Sequence, residues 1–148
     1  MRETKIYIET GKNPKKSRKQ YGYVLECKTR NGIATREGFG ETEGTYNQAT
    51  LEAMAEALER FKEPCKITVH SENTHVLAMI DKNLKSWEES GFQDSKGKPI
   101  KNKEEWTKIA KLTEDHEILT ACGEHEYTKW LSKEMRRRAK KGEKADKN

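Results

Sequence analysis

Three β-type segments stand in a row before the first helical one, and this order constrains the fold more than any other feature. Lys5 to Glu9 (KIYIE) alternates apolar and polar residues, and Tyr21 to Lys28 (YGYVLECK) does so again after a Gly/Pro/Lys turn at 11–19. Asn31-Gly32 then supplies the two residues that tolerate positive φ in a tight hairpin, which leads into a third strand at about 33–40. From residue 44 the period changes. Gly44-Thr45-Tyr46-Asn47 opens a helix in which Leu51, Met54, Leu58 and Phe61 share one face. Pro64 closes the connection to a fourth strand, Lys66 to His70 (KITVH). Helical spacing returns at about 74–85 (Val76, Met79, Ile80) and at about 103–113 (Trp106, Ile109, Leu112). A short strand at 117–122 precedes a C-terminal helix of about 126–140. The order β-β-β-α-β-α-α-β-α predicts an α/β fold with a mixed five-stranded sheet covered by helices.

A chain of 148 residues suits one domain with a single sizeable core. Its 32% hydrophobic and 37% charged content is low for a globular domain, but the periodic segments argue against wholesale disorder. The net charge of +5 sits in residues 136–148, where seven basic side chains face two acidic ones. We expect a domain over 1–140 and a basic, disordered tail over 141–148, which adds sequence-independent attraction to nucleic acid or only aids solubility. Cys27, Cys65 and Cys122 are odd in number and unpaired by spacing, which disfavours a zinc site or a disulfide framework and fits a reducing cytoplasm. MRETKIYIE has no apolar signal core and no stretch reaches membrane-spanning length. The expectation is a soluble cytoplasmic monomer.

Residues 87–106, WEESGFQDSKGKPIKNKEEW, interleave Trp87, Phe92 and Trp106 with Lys96, Lys98, Lys101 and Lys103. Aromatic faces can stack on bases while ammonium groups neutralise phosphates. A solvated lysine-rich loop with two core tryptophans would have the same composition. The ordered pattern W-x(3)-GF-x(4)-GKP-x-KN-x(3)-W, however, resembles the basic protrusion and following helix of type I ribonuclease H. The resemblance extends over roughly residues 4 to 140, and the strand order agrees with it.

The resemblance implies hydrolysis of the RNA strand of RNA/DNA hybrids with Mg²⁺ or Mn²⁺, by a family that uses two ions about 3.5–4 Å apart. Small hard cations take carboxylate oxygens, so the family gathers acids at the ends of central strands and on one helix. Carried over by position, the first acid falls on Glu9 and the third on Glu72, each a glutamate where aspartate is usual. The second falls on Thr50, within T-Y-N-Q-A-T at 45–50. At about 100° per residue, Thr50 lies about 75° from the centre of the Leu51/Met54/Leu58 stripe and Glu52 about 125° away, so Glu52 is read as solvated. For the fourth acid the registers leave Glu134, Glu126 and Glu124 open, with Glu134 preferred. His125 resembles the mobile histidine that helps the family release product; a helix cap or surface residue is the plainer reading.

By the same carry-over, Thr45 and Asn102 pair on a phosphate of the DNA strand, and Asn47 reaches the minor groove where 2′-hydroxyls mark the RNA strand. Trp87, Phe92, Lys98 and Lys101 belong to the gripping surface, while Glu88 and Glu89 soften it. Longer carboxylates and one missing acid imply slow turnover and a preference for Mn²⁺. Two other readings stay open: a ribonuclease H-like module that binds hybrid without cutting it, and a scaffold whose basic tail docks an acidic partner.

Overall fold

The computed structural model describes the backbone of residues 1–147 and the side chains of residues 1–141. Its sheet is the mixed five-stranded one expected. β1 (Arg2–Thr10), β2 (Ser17–Thr29), β3 (Gly32–Gly44), β4 (Cys65–Ser71) and β5 (Glu117–Cys122) lie in the order β3-β2-β1-β4-β5. β1 is antiparallel to β2, and β2 to β3, whereas β4 runs parallel to both β1 and β5. The helices are α1 (Tyr46–Leu58), α2 (Thr74–Lys82), α3 (Leu84–Ser90), α4 (Lys103–Thr113) and α5 (Thr128–Lys147).

Two differences from the sequence reading have physical causes. α3 was not expected. It is a short helix whose Trp87 packs on Trp106 of α4 with ring centroids 5.2 Å apart, so tertiary contact rather than periodicity sustains it. The helix expected at 74–85 accordingly ends at Lys82. α5 begins at Thr128 and runs to Lys147, beyond the expected end near 140. The side chains expected in a tail at 141–148 lie, from residue 142 onward, outside the described residues.

β1 is central and buried on both faces, so its side chains divide the core. Ile6 and Ile8 join Leu51, Met54 and Leu58 of α1, together with Ile67, Val69, Trp106 and Ile109. On the other face Tyr7 and Val24 meet Leu131 of α5, with Phe39 and Tyr127 packed around them. Gly22, opposite Glu9 in the β1/β2 ladder, makes that second layer possible. A Cβ there would stand 2.9 Å from the Phe39 ring and 3.2 Å from Leu131. Among the described residues no helix is long and apolar enough to cross a membrane.

Candidate active site

Glu9 is the penultimate residue of β1 and only 5% exposed. Alternation along the strand turns it to the face that carries Tyr7, under α5, where Ser132, Met135 and Arg136 line a cavity of about 280 Å³ with it. Glu72 directly follows β4, the parallel neighbour of β1. The fold therefore brings these two expected acids to one end of the sheet.

A lysine lies between them. Lys12 Nζ is 3.1 Å from each carboxylate oxygen of Glu72 and 3.7 Å from Glu9 Oε1. Even so, burial together with the nearby Glu72 charge pushes the Glu9 carboxyl up to about 7, with Lys12 opposing the rise. Glu9 Oε2 and Thr10 Oγ1 have no hydrogen-bond partner among the described residues. The Tyr46 phenol feels the same two carboxylates and, chiefly through burial, is held up at about 12. It stays protonated beside them.

On the α1 side the site is polar but closed. Thr50 is fully buried, as the helix geometry required, and Glu52 is exposed. Thr50 Oγ1 donates to the Tyr46 carbonyl at 2.9 Å and accepts from Asn73 Nδ2 at 2.9 Å. Asn73 Nδ2 also donates to Asn47 Oδ1 at 3.0 Å, and Asn73 Oδ1 accepts from the Val76 amide to cap α2. One buried asparagine thus ties α1, α2 and the end of β4 together. The sequence reading passed over Asn73, although an asparagine just ahead of a helical period is an N-cap signal. Thr45 caps α1 through a reciprocal pair with Gln48, so its hydroxyl already accepts the Gln48 amide at 3.2 Å.

The remaining expected residues are placed as follows. His125 Nδ1 accepts from the Tyr127 amide at 3.2 Å, so Nε2 carries the proton and donates to the Ile8 carbonyl at 2.9 Å. Burial lowers its pKa, and the neutral ring is hydrogen-bonded under β1. Glu134 does not join Glu9 and Glu72. It pairs with Arg137 and Arg138, and α5 turns Ser132, Met135 and Arg136 toward Glu9 instead. Glu124 and Glu126 are exposed, Glu126 being 3.5 Å from the Tyr7 hydroxyl. Among the described residues no group of three or more His, Cys, Asp or Glu side chains is placed to hold a metal ion.

The protrusion is an ordered turn. Asp94 Oδ1 accepts from the Lys96 amide at 2.9 Å and the Lys98 amide at 3.0 Å, and Gln93 bridges Pro99. Gly91 takes the left-handed conformation that ends α3, at φ 69°. Trp87 and Phe92 are partly buried against the core. Lys96, Lys98 and Lys101 are exposed, and Asn102 precedes α4 in a left-handed conformation with its side chain not used as a cap.

Comparison with known proteins agrees with this fold. The sequence profile described as RNase H matches residues 1–122. This chain belongs to the RNase H family. It is 30% identical to a ribonuclease H of Cupriavidus necator over 80% of this chain and 79% of that protein. It is 33% identical to a ribonuclease H of Novosphingobium aromaticivorans over 53% of this chain and 54% of that protein. The chain thus spans about half the length of some curated relatives that it matches. Among solved structures, LC9-RNase H1, described as a type 1 RNase H with the type 2 active-site motif, superposes with a TM-score of 0.70 at 14% identity. That match covers 88% of this chain and 69% of LC9-RNase H1. LC11-RNase H1, solved in complex with an RNA/DNA hybrid, superposes with a TM-score of 0.61 at 18% identity, covering 88% of this chain and 91% of its own. At these identities the structural likeness establishes the fold.

Proposed function

We propose that this chain is a divergent ribonuclease H that grips RNA/DNA hybrids and hydrolyses the RNA strand at the Glu9/Glu72 end of the sheet. The observation that carries the reading is the convergence of these two carboxylates at adjacent strand ends of an RNase H fold, with a cationic group already between them. Family membership and the hybrid-bound relative point to the same substrate.

The donor set fits one hard divalent ion rather than two. Two glutamates supply carboxylate oxygens, one of them buried without a hydrogen-bond partner, and Thr50 and Glu134 add no third carboxylate. Glu9 and Glu72 would hold Mg²⁺ or Mn²⁺, which when bound supplies Lewis acidity toward the phosphodiester. The chain's own residues do the rest. Glu9 has to be ionised, which its raised pKa delays to near neutral pH. Thr45, Asn47 and Asn102 orient the hybrid, while Lys98 and Lys101 on the rigid turn neutralise phosphate charge. Trp87 and Phe92 shape the protrusion from beneath. His125, locked to Ile8, orients the end of β1. With so few donors, turnover is slow and Mn²⁺, less demanding in geometry, is preferred over Mg²⁺. The acting unit is residues 1–140 as a monomer. Three free cysteines suit a reducing cytoplasm.

Cleavage of a labelled RNA/DNA hybrid with Mn²⁺ and with Mg²⁺, comparing wild type with Glu72→Gln, tests this reading. Metal-dependent cutting that falls at least about a hundredfold in the variant is the expected outcome. Intact binding with no cutting by either protein would replace it with a hybrid-binding module. The enclosure of Thr50 by Asn73 favours that second reading.

A further inference from the structure

Lys12 lies in the turn joining β1 to β2, three residues beyond Glu9. Its ammonium contacts both oxygens of Glu72 at 3.1 Å and approaches Glu9 Oε1 at 3.7 Å. A small cation chelated by one carboxylate and approached by a second would sit in the same way. The turn that brings Lys12 here is itself built. Lys19, 4% exposed, donates to the Lys15 carbonyl, Ser17 Oγ and the Gly44 carbonyl at 2.6–2.7 Å, and the Gly11 amide bonds the Gln20 carbonyl. Yet the Lys12 side chain is 53% exposed, against 4% for Glu9. It can leave for water without disturbing the core, whereas the Glu9 carboxylate beside it cannot.

We propose that Lys12 is a tethered counter-cation that occupies the divalent ion's place between Glu9 and Glu72, so that a metal ion enters only by displacing it. The inference rests on the reading of this pair as the metal site but not on hydrolysis of the hybrid. A carboxylate pair held closed by its own ammonium binds an external ion with an affinity reduced by the open fraction. Without metal, the ammonium keeps two nearby carboxylates compatible with folding. With metal, Lys12 is released at the mouth of the site.

Titration calorimetry of the full chain with MnCl₂ tests this, using wild type, Lys12→Met and, as a control for charge alone, Lys16→Met from the same turn. Lys12→Met should bind Mn²⁺ about three- to tenfold more tightly than wild type, and Lys16→Met within about twofold of it. Acylation of wild-type lysines by an amine-reactive ester, read by mass spectrometry, needs no variant to fold. Lys12 should react several-fold faster at saturating Mn²⁺ than in chelator. Equal affinity in wild type and Lys12→Met would overturn the proposal. So would equal tightening in both variants, Lys12 reactivity indifferent to Mn²⁺, or no Mn²⁺ binding by either wild type or Lys12→Met. If the binding and acylation results hold while no hybrid is cut, the hydrolase reading fails and the counter-cation stands.

Discussion

On the α1 side of the site, Asn73, Thr50 and Asn47 bond to one another and to backbone; on the β1 side, Glu9 Oε2 and Thr10 Oγ1 are buried with no partner among the described residues. The two sides meet the end of the same sheet, yet different forces hold them. The α1 side is a closed hydrogen-bond network of uncharged groups. The β1 side is an acidic pocket whose stability depends on what neutralises it. A buried polar network that satisfies itself serves the fold, whereas one that does not is where a ligand or ion has something to gain.

The largest effect should come from breaking the closed side. Asn73→Ala removes the cap of α2 and leaves the buried Thr50 hydroxyl short of a donor. A lost N-cap costs about 1 kcal/mol and an orphaned buried group about 1–3 kcal/mol, so urea denaturation should show a loss of about 3 kcal/mol. If the loss is below about 1 kcal/mol, the network is not what ties α1 to α2.

The open side should respond to pH with the opposite sense. Glu9 has its folded-state pKa raised to about 7 from an ordinary 4.5, so the folded protein holds a proton that the unfolded chain has released. Stability from this group is complete below about 4.5 and declines as pH rises toward about 7, by at most about 3 kcal/mol. Glu9→Gln should flatten that decline and equal or exceed wild type above about pH 7. Urea midpoints at pH 5 and pH 8 decide the matter, and an unchanged slope in the variant would remove Glu9 as its source.

The same contrast governs what could be read from sequence. Strand order and the five-stranded sheet were legible because apolar alternation and helical spacing follow from backbone geometry. The strands came out longer than read, β3 reaching Gly44, because ladder pairs such as Arg18 with Glu43 continue past the apolar residues. α3 was not legible, since only its packing of Trp87 on Trp106 marks it. Strand ends placed Glu9 and Glu72 together, and the helix wheel placed Thr50 inward and Glu52 outward. Glu134 pairs with Arg137 and Arg138, while the helix phase of α5 turns Met135 and Arg136 to the cavity lined by Glu9, a placement that depends on how α5 packs on the sheet. Lys12 was hidden for another reason: a lysine's reach from a turn is set by the fold of that turn, which no periodicity records.

His125 lies on the β1 side, with its ring beside Tyr7 and His70. Its neutral ring holds the Ile8 carbonyl through Nε2 and accepts from the Tyr127 amide at Nδ1, so truncation to alanine should cost about 1–3 kcal/mol, the net worth of two such bonds. Because Nδ1 is occupied by the Tyr127 amide, His125→Gln can keep only one of the two contacts. A hydrolytic rate that falls far more than stability in these variants would give His125 a part in the reaction beyond orienting β1.

The smallest effect belongs to the exposed rim. Lys98 owes its position to the Asp94 carboxylate, which holds the amides of Lys96 and Lys98, so the turn survives loss of the lysine head group. Lys98→Gln should therefore leave stability unchanged and weaken hybrid binding about two- to fivefold at moderate salt. The salt dependence is the sharper reading. Removing one phosphate contact should reduce the slope of log K against log salt by about 0.7–0.9. Asp94→Ala frees the turn while retaining every lysine. If it weakens binding as much as Lys98→Gln, the rim acts through its rigidity. If it has no effect, charge alone suffices there, and the contrast between a preorganised protrusion and a charge-held acidic pocket loses its outer half.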